Sequence, residues 1–298
     1  MSGAEAEARL IAEEAHPAEM HRDVFSGVVR LRTTEWRGPA VDPQSIPIVA
    51  LPGVLAPRLS YRPLARRLAE TFRFIAIDFP GFGESEKPPK KRYPYGIGAF
   101  SEAVFDLFAG LNLGQAHLLG HGIGGSVALK MAARHPESVK RLALIAPLAH
   151  PTPSEWGRSA LLSPLLGGLL LRQLMGKSGY CRLYRERINP DVTQDVLDEY
   201  YETLSEPASR EALLATLRGC RETDDLIADS RLVRAPALLL WGRDDRLLPV
   251  EHGRTLSREM PSAGLELLSA GHAVHEQQPI ETARALSMFF AGQRAGSH

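Results

Sequence analysis

QAHLLGHGIGGSVALKMAAR, residues 115–134, decides the reading of the whole chain. A short apolar run passes through a glycine-rich turn into a segment with helical spacing. Taken literally, Gly120, Gly122 and Gly125 match G-x-G-x-x-G between a strand and a helix, the fingerprint of a dinucleotide site. That fingerprint also needs a carboxylate about 20 positions on, at the end of the next strand, to hold the ribose hydroxyls. The next apolar run ends Leu144-Ile145-Ala146-Pro147, with no acid, and the unit lies third along the chain rather than first. The sequence therefore predicts no nucleotide cofactor, and no other cofactor.

Working outward, short buried-type runs alternate with helical spacing. Runs at Ile46–Leu51, Phe72–Ile77, Ala116–Leu119, Leu142–Ile145 and Ala237–Leu240 read as strands. Tyr61–Thr71, Ala99–Leu111, Ile123–Arg134, Glu251–Glu259 and Pro279–Phe290 read as helices. This alternation predicts an α/β fold, a doubly wound, mostly parallel sheet. Val24–Arg32 and its neighbouring run are expected to add antiparallel edge strands. Residues 1–22 read as a polar, helical N-terminal extension. The alternation stops over residues 149–232, which are helical in character, and resumes at Ala237. The expected organisation is a core of residues 23–148 and 233–298, with a helical cap over 149–232 inserted between two strands.

A second pattern fits residues 115–134 better. In the nucleophile elbow, G-x-S-x-G, a sharp strand-to-helix turn lifts one side chain above the sheet. Gly120 and Gly124 occupy the two positions where a side chain would clash, and Gly122 stands where the nucleophile belongs. Trp241-Gly242-Arg243-Asp244-Asp245 follows a later strand, and Gly271-His272 follows the run Leu265–Leu268. Elbow, acid and histidine then come in α/β-hydrolase order. The turn Asp78-Phe79-Pro80-Gly81-Phe82-Gly83-Glu84-Ser85, the segment from Trp241 to Pro249 and the pair His272 and His275 complete the pattern. From about residue 24 to 292 the chain resembles the capped α/β-hydrolase-fold proteins: esterases, lactonases, epoxide hydrolases, haloalkane dehalogenases and C–C bond hydrolases. These motifs specify the fold more tightly than the reaction.

The resemblance implies roles for particular residues. Asp245 would hold Nδ1 of His272, leaving Nε2 to act as a base towards the elbow. Backbone N–H groups of Val54 and Ile123 would form an oxyanion hole. The family's His-Gly pair before that loop is replaced by Pro52-Gly53. The larger departure is Gly122, which has no atom with which to attack a substrate. His150 and Leu165, in or beside the cap, are the candidate substrate contacts, and the Leu161–Met175 stretch would roof an apolar pocket. Asp244 is expected to be solvated, His121 to pack beneath the elbow, and His275 to face solvent or the cap hinge. Ser126 is expected to serve packing, Cys181 and Cys220 to be buried thiols, and Lys90-Lys91-Arg92 to be a solvated loop.

Composition narrows the function classes. With 35 Lys+Arg against 35 Asp+Glu, the chain lacks the basic excess of a nucleic-acid binder. Its apolar stretches fall short of the roughly 20 residues that span a bilayer, and no signal peptide is evident. A cytoplasmic protein acting on a small apolar organic molecule is expected, without metal, nucleic acid or membrane span. Two readings of Gly122 follow: an enzyme using His–Asp general-base chemistry without a serine nucleophile, in a hydrolase, lyase or cyclase reaction, or a catalytically inactive pseudo-hydrolase that binds or regulates.

Overall fold

Apolar β-branched and leucine-rich runs, each closed by Gly or Pro, are long enough for strands that are buried on both faces. The computed structural model of the chain describes residues 17–149, 175–220, 224–260 and 262–293. The chain runs β1 (Glu19–Ser26), β2 (Val29–Trp36), β3 (Ile48–Leu51), α1 (Arg62–Leu68), β4 (Phe74–Ile77), α2 (Ile97–Gly110), β5 (Ala116–His121), α3 (Ile123–Arg134) and β6 (Val139–Ile145). Among the described residues, four helices follow: α4 (Lys177–Arg187), α5 (Gln194–Leu204), α6 (Pro207–Gly219) and α7 (Asp224–Leu232). The chain then returns to β7 (Ala237–Gly242), α8 (Val250–Glu259), β8 (Ala263–Leu268), α9 (Val274–Gln277) and α10 (Pro279–Phe290).

The eight strands form one sheet in the order β1-β2-β4-β3-β5-β6-β7-β8. From β4 to β8 every neighbour is parallel, and β1 and β2 are antiparallel additions at one edge. Side chains alternate between two cores. Val49, Leu51, Leu118, Leu142, Leu144 and Leu239 face a layer containing α2 and α3. Ile48, Ala50, Leu119, Ala143, Ile145 and Leu240 face α1 and α10. Adjacent residues thus enter opposite cores, as the two-residue period of a strand requires.

The N-terminal edge differs from the sequence reading. The Val24–Arg32 run is not a single strand: it turns back at Gly27, which adopts φ +55°, to form the β1–β2 hairpin. Strand pairing begins at Glu19, opposite Trp36, so residues 19–22 are strand rather than part of a helical extension. Pairing with an already formed strand supplies these polar residues with backbone partners that a frayed helix would lack. Helices α4–α7 fall between the parallel neighbours β6 and β7, inside the span 149–232. His150, Leu165 and most of the Leu161–Met175 stretch lie outside the described residues. Among the described residues, no helix is long and apolar enough to cross a membrane.

Candidate active site

The elbow begins where β5 ends. Gly122 adopts φ 55° and ψ −119° and forms the N-cap of α3, so the chain reverses sharply into the helix. Its N–H donates to the Ile145 carbonyl at 3.0 Å, and its carbonyl accepts the Leu148 N–H at 3.2 Å. The flanking glycines are required by contact. A Cβ on Gly120 would lie 2.4 Å from the Gly124 carbonyl oxygen, and one on Gly124 would lie 2.2 Å from that of Leu51. Among the described residues, the only atom a Cβ on Gly122 would meet within 4 Å is Nε2 of His272, at 3.5 Å. The elbow therefore needs glycine at positions 120 and 124 for space, but not at 122.

His272 and Asp245 arrive from β8 and β7 through two loops that touch. A Cβ on Gly242 would lie 2.0 Å from the Gly271 carbonyl oxygen, so glycine there permits the close approach. Arg243 N–H donates to Leu268 O at 2.9 Å, and Asp244 N–H donates to Ala270 O at 3.0 Å. These bonds align Asp245 with the histidine: Nδ1 of His272 lies 2.8 Å from Asp245 Oδ2. The other carboxylate oxygen accepts the Leu247 and Leu248 N–H groups, each at 2.8 Å. The carboxylate is fully buried, and the imidazole nearly so. A carboxylate held in this way fixes the histidine tautomer and leaves Nε2 directed at the elbow.

Val54 and Ile123 lie on neighbouring loops. Leu51 pairs with Gly120 across parallel β3 and β5, and each of the two residues lies three positions beyond that pair. The loops that carry them are in contact, since a Cβ on Gly53 would lie 3.2 Å from His121 Nδ1. Ile123 opens α3, where a backbone N–H has no partner within its own helix. Pro52-Gly53 leads into this loop, with Gly53 against the His121 ring.

Three histidine rings cluster at the elbow, tilted against one another. His121 lies 4.6 Å, centroid to centroid, from both His272 and His275. Burial holds His121 well below the ordinary histidine range, and the two neighbouring histidines push it in the same direction. His275, expected at solvent or a hinge, is instead fully buried, with its ring 4.8 Å from that of Tyr61. The helical turn of α9 points it inward beside the apolar Val274. Burial, then the proximity of His272, lowers its pKa to about 3. His272 thus has two uncharged rings as neighbours at neutral pH.

The remaining expectations sort plainly. Asp244 and Lys90-Lys91-Arg92 are exposed, and Cys181 and Cys220 are buried free thiols. Ser126 is fully buried and donates to Leu148 O at 2.7 Å, so it does not replace a nucleophile. Sequence reasoning passed over Glu276. Its buried carboxylate accepts hydrogen bonds from Tyr184 Oη at 2.6 Å and Asn189 Nδ2 at 2.9 Å. Burial raises its pKa to about 7 despite those bonds. The four-residue spacing of Tyr180 and Tyr184 marked one helix face, but nothing local pointed to Glu276 as a partner.

Residues 46–279 match the profile of the family described as alpha/beta hydrolase fold. The 2-hydroxymuconate semialdehyde hydrolase of Pseudomonas putida is 27% identical over 237 residues, covering 76% of this chain and 79% of the relative. Hydrolase YugF of Bacillus subtilis (strain 168) is 26% identical over 240 residues, covering 78% and 85%. Among solved structures, the 2-hydroxy-6-oxo-6-phenylhexa-2,4-dienoate hydrolase of Rhodococcus sp. strain RHA1 superposes with a TM-score of 0.77 at 23% identity. That match covers 93% of this chain and all of the other, and it speaks to the fold.

Proposed function

Because the chain belongs to the α/β-hydrolase fold family, we propose that it is an enzyme for a small apolar substrate, with His272 as general base and no covalent nucleophile. The observation that carries this reading is the His272–Asp245 pair, buried, hydrogen-bonded and directed at a position occupied by glycine. Without Oγ at residue 122, the space before Nε2 accommodates a water molecule. Nε2 takes a proton from that water as its oxygen bonds to the substrate carbonyl carbon. The carbonyl π pair moves onto oxygen, where the Val54 and Ile123 N–H groups stabilise it. When that pair returns, the bond to the leaving group breaks, and the leaving group collects the proton from the imidazolium. Hydrolysis also agrees with the names of the relatives. Substrate selection falls to the helical insertion acting as a cap.

Turnover of a panel of activated esters, lactones and epoxides tests the reading. His272→Ala and Asp245→Asn should lower kcat by about 10²–10⁴-fold, the usual contribution of a positioned base. Equal turnover in the parent and in both variants would sink it. The absence of a side chain at Gly122 favours one other reading, a ligand-binding pseudo-hydrolase. That reading gains if no substrate turns over while apolar ligands raise the melting temperature.

A further inference from the structure

The two loops assigned to the chemistry come from distant parts of the sheet. β3, which leads to Val54, and β8, which leads to His272, are separated by β5, β6 and β7. At about 4.8 Å per strand their roots lie roughly 19 Å apart, and no direct ladder fixes one loop against the other. One helix reaches both. From α4, Tyr180 Oη donates to the Leu55 carbonyl at 2.8 Å, next to Val54. One turn later, Tyr184 Oη donates to Glu276 Oε1 at 2.6 Å, on the helix that follows His272. Residues four apart share a helix face, so a single rigid element makes both bonds. Neither tyrosine is exposed.

The segment after α4 strengthens the histidine end. Asn189 Nδ2 donates to Glu276 Oε2 at 2.9 Å, and the N–H of Ala273, adjacent to His272, donates to Ile188 O at 3.3 Å. Both oxygens of the buried Glu276 carboxylate are therefore held by side chains of the insertion.

We infer that Tyr180 and Tyr184 are positioning residues: a two-point clamp through which the helical insertion sets the placement of His272 against the oxyanion loop. Neither phenol is assigned a proton transfer. Each hydroxyl bonds to protein, and the effect on chemistry passes through Leu55 and Glu276. The clamp couples the position of the insertion to the geometry of the base, so a shift of α4 along its axis moves both loops together. The inference rests on the reading of His272 as the base, and its test has a readout independent of turnover.

The experiment is a pH titration of the His272 imidazole by NMR in ¹⁵N-histidine-labelled protein, comparing the parent, Tyr184→Phe, Tyr180→Phe and Tyr93→Phe. Tyr93 is the control, because its Oη donates to the Ala99 carbonyl at 3.0 Å, in the first turn of α2. Tyr184→Phe should displace the His272 titration from that of the parent, since Glu276 loses a donor and the loop loses an anchor. Tyr93→Phe should leave it in place. With p-nitrophenyl acetate as substrate, both clamp variants should lose about tenfold in kcat with KM within about twofold, the pattern of misplacement rather than lost binding. Tyr180→Phe should lose kcat without moving the midpoint. An unchanged His272 titration in Tyr184→Phe overturns the clamp, as does an equal shift in Tyr93→Phe. If the parent turns over no ester, lactone or epoxide of the panel, the enzymatic reading fails, and the titration still decides whether the insertion positions His272.

Discussion

Gly122 combines two properties that bear in opposite directions on a side chain. Its backbone lies at φ 55° and ψ −119°, which an L-residue adopts only with strain, while among the described residues its Cβ position meets only His272 Nε2, at ordinary van der Waals distance. Such strain costs of order 1–3 kcal/mol. Glycine removes that cost, so the missing nucleophile makes this turn more stable than a serine elbow on the same backbone. Gly122→Ser and Gly122→Ala should both fold, each losing about 1–3 kcal/mol in chemical denaturation. Gly124→Ala, which drives a Cβ into the Leu51 carbonyl, should lose clearly more. In Gly122→Ser, Oγ enters hydrogen-bonding range of His272 Nε2, and a burst of nitrophenol from an activated ester is expected. A folded Gly122→Ser protein without a burst would show that this elbow and base are not aligned for attack.

At the scale of elements, the turn after β4 shows why some motifs were legible and others were not. Asp78, Gly83 and Ser85 were recognisable from their pattern, and each has a physical reason. Asp78 Oδ1 accepts the Arg58 N–H at 3.0 Å, and its other oxygen pairs with the Arg58 guanidinium and accepts Glu84 N–H at 3.1 Å. A Cβ on Gly83 would overlap that carboxylate, and Ser85 Oγ donates to Asp78 O at 2.6 Å. Arg58, the buried partner, carried no signal, because a lone arginine beside a short 3₁₀ turn looks like any surface cation. The Glu276 cluster was hidden for a related reason: its donors lie in the insertion, about 90 positions away along the chain, and no local period links them. The strands, by contrast, announce themselves through local runs and glycine stops. Asp78→Ala leaves the Arg58 charge buried with the half-exposed Glu84 as its carboxylate partner and Thr34 Oγ1 accepting from its Nε. It should cost about 3–5 kcal/mol, the usual penalty for breaking a buried pair. A shift in the urea midpoint equivalent to less than about 1 kcal/mol would mean that Glu84 replaces Asp78 fully.

For the whole molecule, buried titratable groups set how stability depends on pH. Burial, aided by Arg141 and Lys140, lowers the pKa of His117 to about 4, and burial with His272 nearby lowers that of His275 to about 3. Below pH 6.5 the unfolded chain protonates these rings and the folded protein does not, so each subtracts about 1.4 kcal/mol per pH unit as pH falls. That loss runs down to the folded pKa, near pH 4 for His117. His121, also held low by burial, acts in the same direction. Glu276 works the other way. Its folded pKa of about 7 exceeds the ordinary value of 4.5, so between those limits the folded state holds the extra proton and stability falls as pH rises. With His252, whose pKa burial also lowers, four histidines stand against one carboxyl and leave a net loss on acidification below pH 6.5. His117 sits at the start of β5, between the rings of Phe72 and Phe290 and at the opposite end of that strand from the elbow. His117→Phe should therefore flatten the acid limb of a urea-midpoint profile between pH 4.5 and 6.5. Glu276→Gln should steepen it, because the opposing term disappears. Parallel profiles for the parent and both variants would mean that other groups govern the acid limb.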